Sequence, residues 1–365
     1  MDLTVNVSGI RFRNPVLPAA GPNVKDSRMM IEAFKGGAGG VVSKTISTRA
    51  ASDRRPTIRK GVCRGLYNAE TWSEIPKERM IKELLKVKRE ASPLVVSIGY
   101  TPEQLEEMGR LIQREVEPDG LEFSTHYVGR SIQPILECAK SLRRAVDLPI
   151  WIKVSPTVLD IEELAVRISP YVDGFVAVNS LGPVLDFDVE NPEPLLGSDD
   201  GAGWLSGPAI QPIALRFVYQ LSTLQNKPVI GVGGIEKGKD AVKFIMAGAS
   251  AVQVCTAAIK GGHKVYGKIA EDMEEFLEKN GYSSIDEIKG LYSRRLKQRR
   301  VYKKTPFMWI HQDRCTGCKA CITKCIHSAL YMEGDKAHVR REYCIGCGFC
   351  MDWCVYGAME LKEEV

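Results

Sequence analysis

Short apolar runs recur along roughly the first 280 residues of the chain and alternate with longer amphipathic stretches. Two segments of period-two alternation, LTVNV and IRF, come first and predict a small β-hairpin. Eight β-rich runs follow them: VLPAA (16–20), GVVSK (40–44), LVVSI (94–98), GLEFS (120–124), IWIKV (150–154), GFVAV (174–178), PVIGV (228–232) and AVQVC (251–255). Most of these runs are separated by helical patterns such as PKERMIKELLKVKRE.

This alternation predicts an α/β fold, a parallel (β/α)8 TIM barrel. The runs are apolar almost throughout, which fits barrel strands because such strands are covered on both faces. We expect the barrel to occupy residues 1–285, followed by a basic linker at 286–305 and a small α+β domain at 306–365.

Two short cysteine-rich segments mark this last domain. RCTGCKACITKC (314–325) and YCIGCGFCMDWC (343–354) both have the spacing C-x2-C-x2-C-x3-C. Such doubled runs are typical of proteins with two [4Fe–4S] clusters, in which the fourth cysteine of each run serves the other cluster. The segment resembles the bacterial two-cluster ferredoxins. The predicted ligands are Cys315, Cys318, Cys321 and Cys354 for one cluster, and Cys344, Cys347, Cys350 and Cys325 for the other.

Structural zinc and disulfides are the alternatives for these eight cysteines. Zinc sites usually use two CxxC pairs rather than doubled runs of four, and disulfides need an oxidising compartment. The N-terminus MDLTVNVSGIRFRN has no apolar signal-peptide region, and no apolar run reaches the length of a membrane span. We therefore expect a soluble cytoplasmic protein with cluster-ligating thiolates. The three remaining cysteines, Cys63, Cys138 and Cys255, have no metal spacing, and we expect them to be buried and inert.

The charge of the chain is modest and gives no case for nucleic acid. The net charge is +5 over 365 residues. Residues 289–304 carry eight Lys or Arg and no acid. This segment is either a solvated helix end and linker or a docking site for an acidic redox partner. The segment 44–65 carries seven Lys or Arg and one Asp. If this segment borders the active site, its positive charge favours an anionic substrate; otherwise it is a solvated loop.

In such barrels the chemistry lies at the carboxyl ends of the strands. Lys44, Lys153 and Asn179 follow apolar strands there, where an apolar barrel needs no polar group, so they are site candidates. Gly233 and Gly234 follow the seventh run, and Thr256 follows the eighth. Loops after strands seven and eight are where barrels bind phosphate.

A phosphate site in the barrel and clusters in the tail together imply FMN. A two-electron substrate cannot discharge directly into one-electron clusters, whereas a flavin can accept a hydride and release single electrons. The small-molecule chemistry is then linked through the clusters to an outside electron partner.

The barrel sequence resembles the FMN-dependent dihydroorotate dehydrogenase family, especially its dihydropyrimidine dehydrogenase branch with a ferredoxin-like extension. The resemblance is carried by NPVLPAAGP, VVSKT, LYNAE, IKVSP, AVNSLG, SGPAIQPIALR, GVGGIEKGKDA and VQVCTAAI. It implies FMN binding by Ala20, Gly21, Lys44, Lys153, Asn179, Gly207, Gly233, Gly234, Cys255 and Thr256. It implies substrate binding by Lys44, Asn68, Asn179 and Ser180.

One segment departs from the family pattern. At residues 121–127, LEFSTHY, Glu122 replaces an asparagine that contacts flavin and substrate, and Thr125 stands where the family has a catalytic cysteine or serine. A general acid is still needed there, and the candidates in order are His126, Tyr127, Glu122 and Thr125. The departure argues against a standard dihydropyrimidine or dihydroorotate substrate.

We therefore expect an oxidoreductase that acts on an activated CH–CH or C=C bond through FMN and two [4Fe–4S] clusters. The alternative is a non-catalytic electron-transfer subunit of a larger redox complex. No G-x-G-x-x-G opens a βαβ unit, so a flavoprotein subunit or a ferredoxin is the expected electron partner. We expect a homodimer or hetero-oligomer.

Overall fold

The computed structural model describes residues 1–124, 131–224, 226–299 and 301–363. The chain divides into two compact units, Met1–Lys297 and Gln298–Val365. The division falls inside the segment predicted as a linker. The first part of that segment forms two short helices, Ile285–Ile288 and Leu291–Lys297, which belong to the first unit.

The first unit is built on eight parallel strands that form a nearly closed barrel in the described part of the chain. Each strand coincides with one of the eight predicted runs, so the predicted barrel is confirmed. The barrel strands are β3 (Val16–Pro18), β4 (Val41–Val42), β7 (Leu94–Ile98), β8 (Gly120–Ser124), β9 (Ile150–Val154), β10 (Gly174–Ala177), β13 (Val229–Val232) and β14 (Ala251–Val254). Their order around the sheet is β3-β14-β13-β10-β9-β8-β7-β4.

Helices surround these strands and bury one apolar face against them. The longer helices are α1 (Ser27–Lys35), α2 (Lys77–Glu90), α3 (Pro102–Glu115), α4 (Gln133–Ala145), α5 (Ile161–Ile168), α6 (Gln211–Leu224), α7 (Gly238–Ala247) and α9 (Val265–Lys279). The short ones are α8 (Thr256–Gly261), α10 (Ile285–Ile288) and α11 (Leu291–Lys297).

Local capping explains where several helices begin. The side chains of Asp26 and Asp160 accept hydrogen bonds from backbone N–H groups in the first turns of α1 and α5. Thr101 and Gln104 form a capping box at the start of α3, which also has Pro102 in its first turn. Each cap satisfies donors that would otherwise have no partner, so the ends of the helices are set by the sequence next to them.

A hairpin lies at the amino ends of the strands. It consists of β1 (Val5–Val7) and β2 (Ile10–Phe12), paired antiparallel as the sequence predicted. Its Ser8 hydroxyl donates to the carbonyl of Asp173, just before β10, and accepts from the indole N–H of Trp151 on β9. The hairpin is therefore packed on the end of the barrel opposite the site.

A second, antiparallel sheet stands at the carboxyl ends. Its strands are β5 (Ile58–Lys60), β6 (Leu66–Asn68), β11 (Leu181–Val184) and β12 (Gly203–Ser206), in the order β11-β12-β6-β5. They come from the loops that follow β4 and β10. Because this sheet supplies Asn68 and Ser206 to the cavity described below, the two loops form one wall of the site.

The second unit is small and built around its cysteines. It contains β15 (Phe307–Ile310), α12 (Ala320–Thr323), β16 (Leu330–Glu333), β17 (Lys336–Val339) and β18 (Met359–Lys362). β15 pairs with β18 and β16 pairs with β17, both antiparallel. Its buried core includes Met308, Leu330 and Met359 together with Cys321 and Cys350.

No helix within the described ranges is long and apolar enough to cross a membrane.

Candidate functional site

The carboxyl ends of the barrel strands open into a cavity. Parallel strands bring these ends to one rim, so residues far apart in sequence meet there. The predicted site residues that line this cavity are Ala20, Gly21, Asn68, Lys153, Asn179, Ser180, Gly207, Gly233, Gly234, Cys255 and Thr256. The remaining described candidate toward this rim, Lys44, lines a smaller adjoining cavity.

One end of the larger cavity has the features of a phosphate cradle. Gly207, Gly233 and Gly234 all have positive φ, at 95°, 128° and 75°, which glycine adopts without steric cost. Beside them the hydroxyls of Ser206 and Thr256 lie 2.8 Å apart. Glycine backbone that a ligand can approach closely and two neighbouring hydroxyls can bind the oxygens of a phosphate. This end of the cavity therefore fits the phosphate of FMN.

The interior under the cavity holds a cluster of polar side chains. Glu122 on β8 is completely buried, and its Oε2 accepts a 2.6 Å hydrogen bond from Nε2 of Gln253 on β14. Nζ of Lys153 on β9 lies 3.6 Å from Oε1 of Glu122 and donates to Oε1 of Gln253 at 3.4 Å. The three side chains therefore form a ring in which each contacts the other two, and we call this ring the interior triad.

Lys44 does not stand alone in the smaller cavity. Its ammonium forms an ion pair with Glu70, and both side chains are largely buried. Thr57 also donates to Glu70, at 3.3 Å, and the side chain of Asn68 accepts from the N–H of Glu70. The carboxylate thus offsets the charge of Lys44.

Polar and aromatic groups complete this smaller cavity. Asn179 donates to the hydroxyl of Ser124 at 3.1 Å, and the N–H of Ser180 is bonded to the Asn179 side chain at 2.9 Å. Tyr100 also lines it; its ring lies tilted against that of Trp72, with the ring centroids 5.2 Å apart, and its hydroxyl donates to a backbone carbonyl. Burial raises the pKa of Tyr100, so its hydroxyl stays protonated at neutral pH.

Sequence reasoning missed several of these residues. Glu70 and Gln253 carried a signal: Glu70 lies two positions after Asn68, and Gln253 interrupts an apolar strand. Ser124 and Tyr100 carried a positional signal, because Ser124 ends the run GLEFS and Tyr100 follows the run LVVSI by two residues, at the carboxyl ends of β8 and β7.

Of the four predicted proton donors, the structure describes only Glu122. Thr125, His126 and Tyr127 lie outside the described residues. Glu122 is buried in the interior triad and does not line either cavity.

The three isolated cysteines differ from one another. Burial raises the pKa of Cys138 to about 12 and that of Cys255 to about 11, so both thiols are neutral near pH 7. Cys255 donates to the side-chain oxygen of Asn23 at 3.0 Å. The prediction that Cys63 is buried is wrong: it is exposed, because it lies in the turn between β5 and β6.

Two of the motif cysteines have other motif thiols close by. Burial raises the pKa of Cys321, and its thiol neighbours that raise it further are Cys315, Cys318 and Cys354. Burial raises the pKa of Cys350 to about 11, with further contributions from the neighbouring Cys325, Cys321 and Cys344. The last cysteine of each run therefore lies near the other run: Cys354 is close to Cys321, and Cys325 is close to Cys350.

Backbone N–H groups point at the sulfurs of both groups. In one group Cys315 and Cys354 accept from Ala337 and Ala358 at 3.5 and 3.3 Å. In the other, Cys325 and Cys344 accept from Ala329 and Met308 at 3.2 and 3.3 Å. Such bonds stabilise thiolate charge, as cluster ligation requires.

The zinc and disulfide alternatives can be compared with the described cysteines. All eleven cysteines are free. Within the described ranges, no three His, Cys, Asp or Glu side chains converge closely enough to hold one metal ion, as tetrahedral zinc requires. Thiolates around a four-iron cube bind separate irons and stand farther apart.

Comparison with known proteins gives two matches along the chain. A family model described as dihydroorotate dehydrogenase matches residues 2–277. A model described as a 4Fe-4S dicluster domain matches residues 307–355.

Individual relatives agree with these matches. The dihydroorotate dehydrogenase B (NAD(+)) catalytic subunit of Methanothermobacter thermautotrophicus is 34% identical over 299 residues, which cover 79% of this chain and 98% of that protein. The corresponding subunit of Pyrococcus abyssi is 35% identical over 299 residues, with the same coverage of each chain. The NAD-dependent dihydropyrimidine dehydrogenase subunit PreA of Escherichia coli is 29% identical over 351 residues, 89% of this chain and 85% of that protein.

The phosphate cradle gives a direct test. Gly207 has φ 95° and ψ −162°, a region that is essentially restricted to glycine and costs other residues about 1–3 kcal/mol. A Cβ there would lie 2.9 Å from the Cα of Gly65. We expect Gly207→Ala to lose most of its bound flavin, measured as the ratio of flavin to protein absorbance after desalting.

The matched control is Gly9→Ala in the hairpin at the other end of the barrel. Gly9 also has positive φ, at 86°, but no atom would lie within 4 Å of its added Cβ. This variant should melt at a lower temperature, for a cost of about 1–2 kcal/mol, and retain its flavin. Equal flavin content in the two variants would contradict the assignment of Gly207 to the cradle.

Proposed function

Because the chain belongs to the dihydroorotate dehydrogenase family, we propose that its barrel binds FMN, that its C-terminal unit binds two [4Fe–4S] clusters, and that it oxidises or reduces a CH–CH bond in a small substrate. The chain is a flavoprotein oxidoreductase of this family with an iron–sulfur domain. The observation that carries the proposal is the cavity at the barrel rim, where the phosphate cradle and Lys153 line one continuous space.

The bound flavin would accept a hydride and pass electrons on singly. The residues of the chain would orient both partners of that reaction. Lys153 and Gln253 line the floor of the larger cavity, where Lys153 places positive charge. Asn179 and Ser180 line both cavities, so they stand between the flavin and a substrate bound toward Lys44.

The charges of the segment 44–65 are largely paired. Lys44 pairs with Glu70, as described above. Three further ion pairs link Arg54 to Asp199, Arg55 to Glu74 and Arg64 to Glu236. The segment therefore gives weaker support to an anionic substrate than its composition suggests. The smaller cavity offers both hydrogen-bond donors and hydrogen-bond acceptors.

The substrate we propose carries an activated C=C or CH–CH bond but differs from dihydroorotate and from a dihydropyrimidine. Thr125 occupies the position of the catalytic cysteine or serine, and Glu122 that of an asparagine. A substrate screen tests this proposal. Anaerobic, photoreduced protein is mixed with unsaturated acids, their CoA esters, and pyrimidines, and flavin absorbance is followed.

We expect at least one unsaturated compound to reoxidise the flavin, and Asn179→Ala to slow that reaction because it removes a group at the boundary of the two cavities. The second candidate function is a non-catalytic electron-transfer subunit. Thr125 favours this function because it stands where the family has a catalytic cysteine or serine. The screen would support it if no compound reoxidised the flavin while a ferredoxin did.

The electron partner we propose is a flavoprotein subunit or a ferredoxin. The similar proteins from Methanothermobacter thermautotrophicus and Escherichia coli are subunits whose names include NAD. This chain has no nucleotide-binding G-x-G-x-x-G motif in a βαβ unit, so electrons from a nicotinamide would reach it through another subunit.

The cofactor content gives a quantitative prediction. Two groups of four cysteines and one phosphate cradle imply eight irons, eight inorganic sulfides and one FMN per chain. Anaerobic iron, sulfide and flavin analysis of protein reconstituted with iron and sulfide measures all three. About four irons per chain, or FAD in place of FMN, would contradict the proposal.

The proton donor gives a mutational prediction. We propose His126 ahead of Tyr127, Glu122 and Thr125, because an imidazole has a reference pKa of about 6.5 and can donate near neutral pH. We expect His126→Ala to keep its cofactors and to slow substrate-dependent flavin oxidation by about 10²-fold or more, the scale of losing a general acid.

Stopped-flow kinetics with the substrate found in the screen measures this rate. Tyr127→Phe is the companion variant, since it removes only a hydroxyl from the adjacent residue. Unchanged turnover in His126→Ala, together with an inactive Tyr127→Phe, would assign the proton to Tyr127 instead.

A further inference from the structure

The interior triad of Glu122, Lys153 and Gln253 does more than fill the barrel. The interior of a (β/α)8 barrel is ordinarily packed with branched apolar side chains. Glu122 has no exposed surface, and the side chain of Lys153 is 5% exposed. A charged pair is seldom buried this deeply without a function, because each ion loses its hydration.

The strand register explains why these side chains meet. Successive side chains in a strand point to opposite faces, so Glu122 and Ser124 share the barrel-interior face of β8 while Leu121 and Phe123 point outward. Ser124 is paired in register with Lys153 on β9. Glu122 therefore lies one layer deeper than Lys153, toward the amino ends of the strands.

The hydrogen bonds of the triad leave one oxygen without a donor. Oε2 of Glu122 accepts from Gln253, but Oε1 has no hydrogen bond among the described residues. That oxygen faces the ammonium of Lys153 at 3.6 Å. Its stabilisation is therefore the charge of Lys153 rather than a hydrogen bond, and the two charges are directly coupled.

The position of the triad relative to the cavity limits what Glu122 can do. Lys153 and Gln253 line the larger cavity, whereas Glu122 lies behind them. Glu122 would thus act on a bound cofactor through its charge and through the other two side chains, as a positioning residue.

We propose that Glu122 offsets the positive charge of Lys153 and so lowers the midpoint potential of the flavin. The proposal rests on the proposed function, in which the larger cavity binds FMN. Reduction would add negative charge to a bound flavin, which a cation lining the cavity would favour and a carboxylate beside that cation would oppose. With Glu122 in place, the reduced flavin is a stronger electron donor to the clusters than Lys153 alone would allow.

The test compares Glu122→Gln with the unchanged protein in anaerobic redox titrations. Glutamine has the size of glutamate and can still accept from Gln253, but it has no charge. We expect the ratio of reduced to oxidised flavin at a fixed potential to rise about tenfold or more, which is about 30 mV for a two-electron couple. A change of less than twofold would overturn the proposal.

Glu122→Asp separates charge from packing. Aspartate is shorter and opens the ring but keeps the carboxylate. If the charge matters, the flavin potential of Glu122→Asp stays closer to that of the unchanged protein than the potential of Glu122→Gln does. If Glu122 only packs, the shorter aspartate disturbs the potential more than the isosteric glutamine, and the proposal fails.

Glu83→Gln is the matched control. Glu83 on α2 is also a largely buried carboxylate, paired with Lys86 at 3.2 Å, but it lines neither cavity. Its removal should leave the flavin potential unchanged. The cluster signals, read in the same titrations, separate a change in the flavin potential from a change elsewhere in the protein.

Two further outcomes are decisive. If Glu122→Gln does not fold, Glu122→Asp and Glu122→Asn form a second isosteric pair that differs in charge, and equal flavin potentials in these two would overturn the proposal. Protein that binds no FMN in any form would contradict the proposed function itself. Protein that binds FMN with a potential independent of Glu122 would contradict this inference alone.

Discussion

The parallel direction of the eight barrel strands is the constraint on which the rest of the molecule depends. Because the strands run the same way, all their carboxyl ends meet at one rim. Residues as distant in sequence as Gly21, Lys153 and Gly234 therefore line one cavity. The antiparallel sheet formed by the loops after β4 and β10 stands over this rim, and the hairpin β1–β2 occupies the opposite end.

The same constraint creates the buried charges. Side chains that alternate inward along β8, β9 and β14 must share the narrow interior, and they include the charged pair Glu122 and Lys153 with Gln253. Their mutual contacts offset the loss of hydration, which explains how a glutamate with no exposed surface is tolerated. Lys44 and Glu70 repeat this pairing in the smaller cavity. The site thus contains two lysines, each held beside a carboxylate, and the net charge offered to a ligand is smaller than the lysines suggest.

The C-terminal unit follows a different logic, since most of its organisation is local. Two short cysteine runs, each within a dozen residues, bring three thiols together through tight turns, and only the fourth must come from the other run. Its small core consists largely of the cysteines themselves and a few apolar residues. We infer that the clusters stabilise this unit in addition to carrying electrons, because so small an apolar core gives limited stability by itself.

The sequence alone determined the strands, the barrel and eleven of the residues that line the larger cavity, because these follow from periodicity, from the position of residues after each strand and from the family resemblance. The eight predicted runs became the eight barrel strands. It did not determine that Glu122 contacts Lys153 and Gln253, that Glu70 offsets Lys44, or that Tyr100 lines the smaller cavity. These contacts join residues from 26 to 131 positions apart, and their existence depends on strand register and barrel closure. Cys63 was misjudged for the same reason, since only the folded hairpin shows that its turn faces solvent.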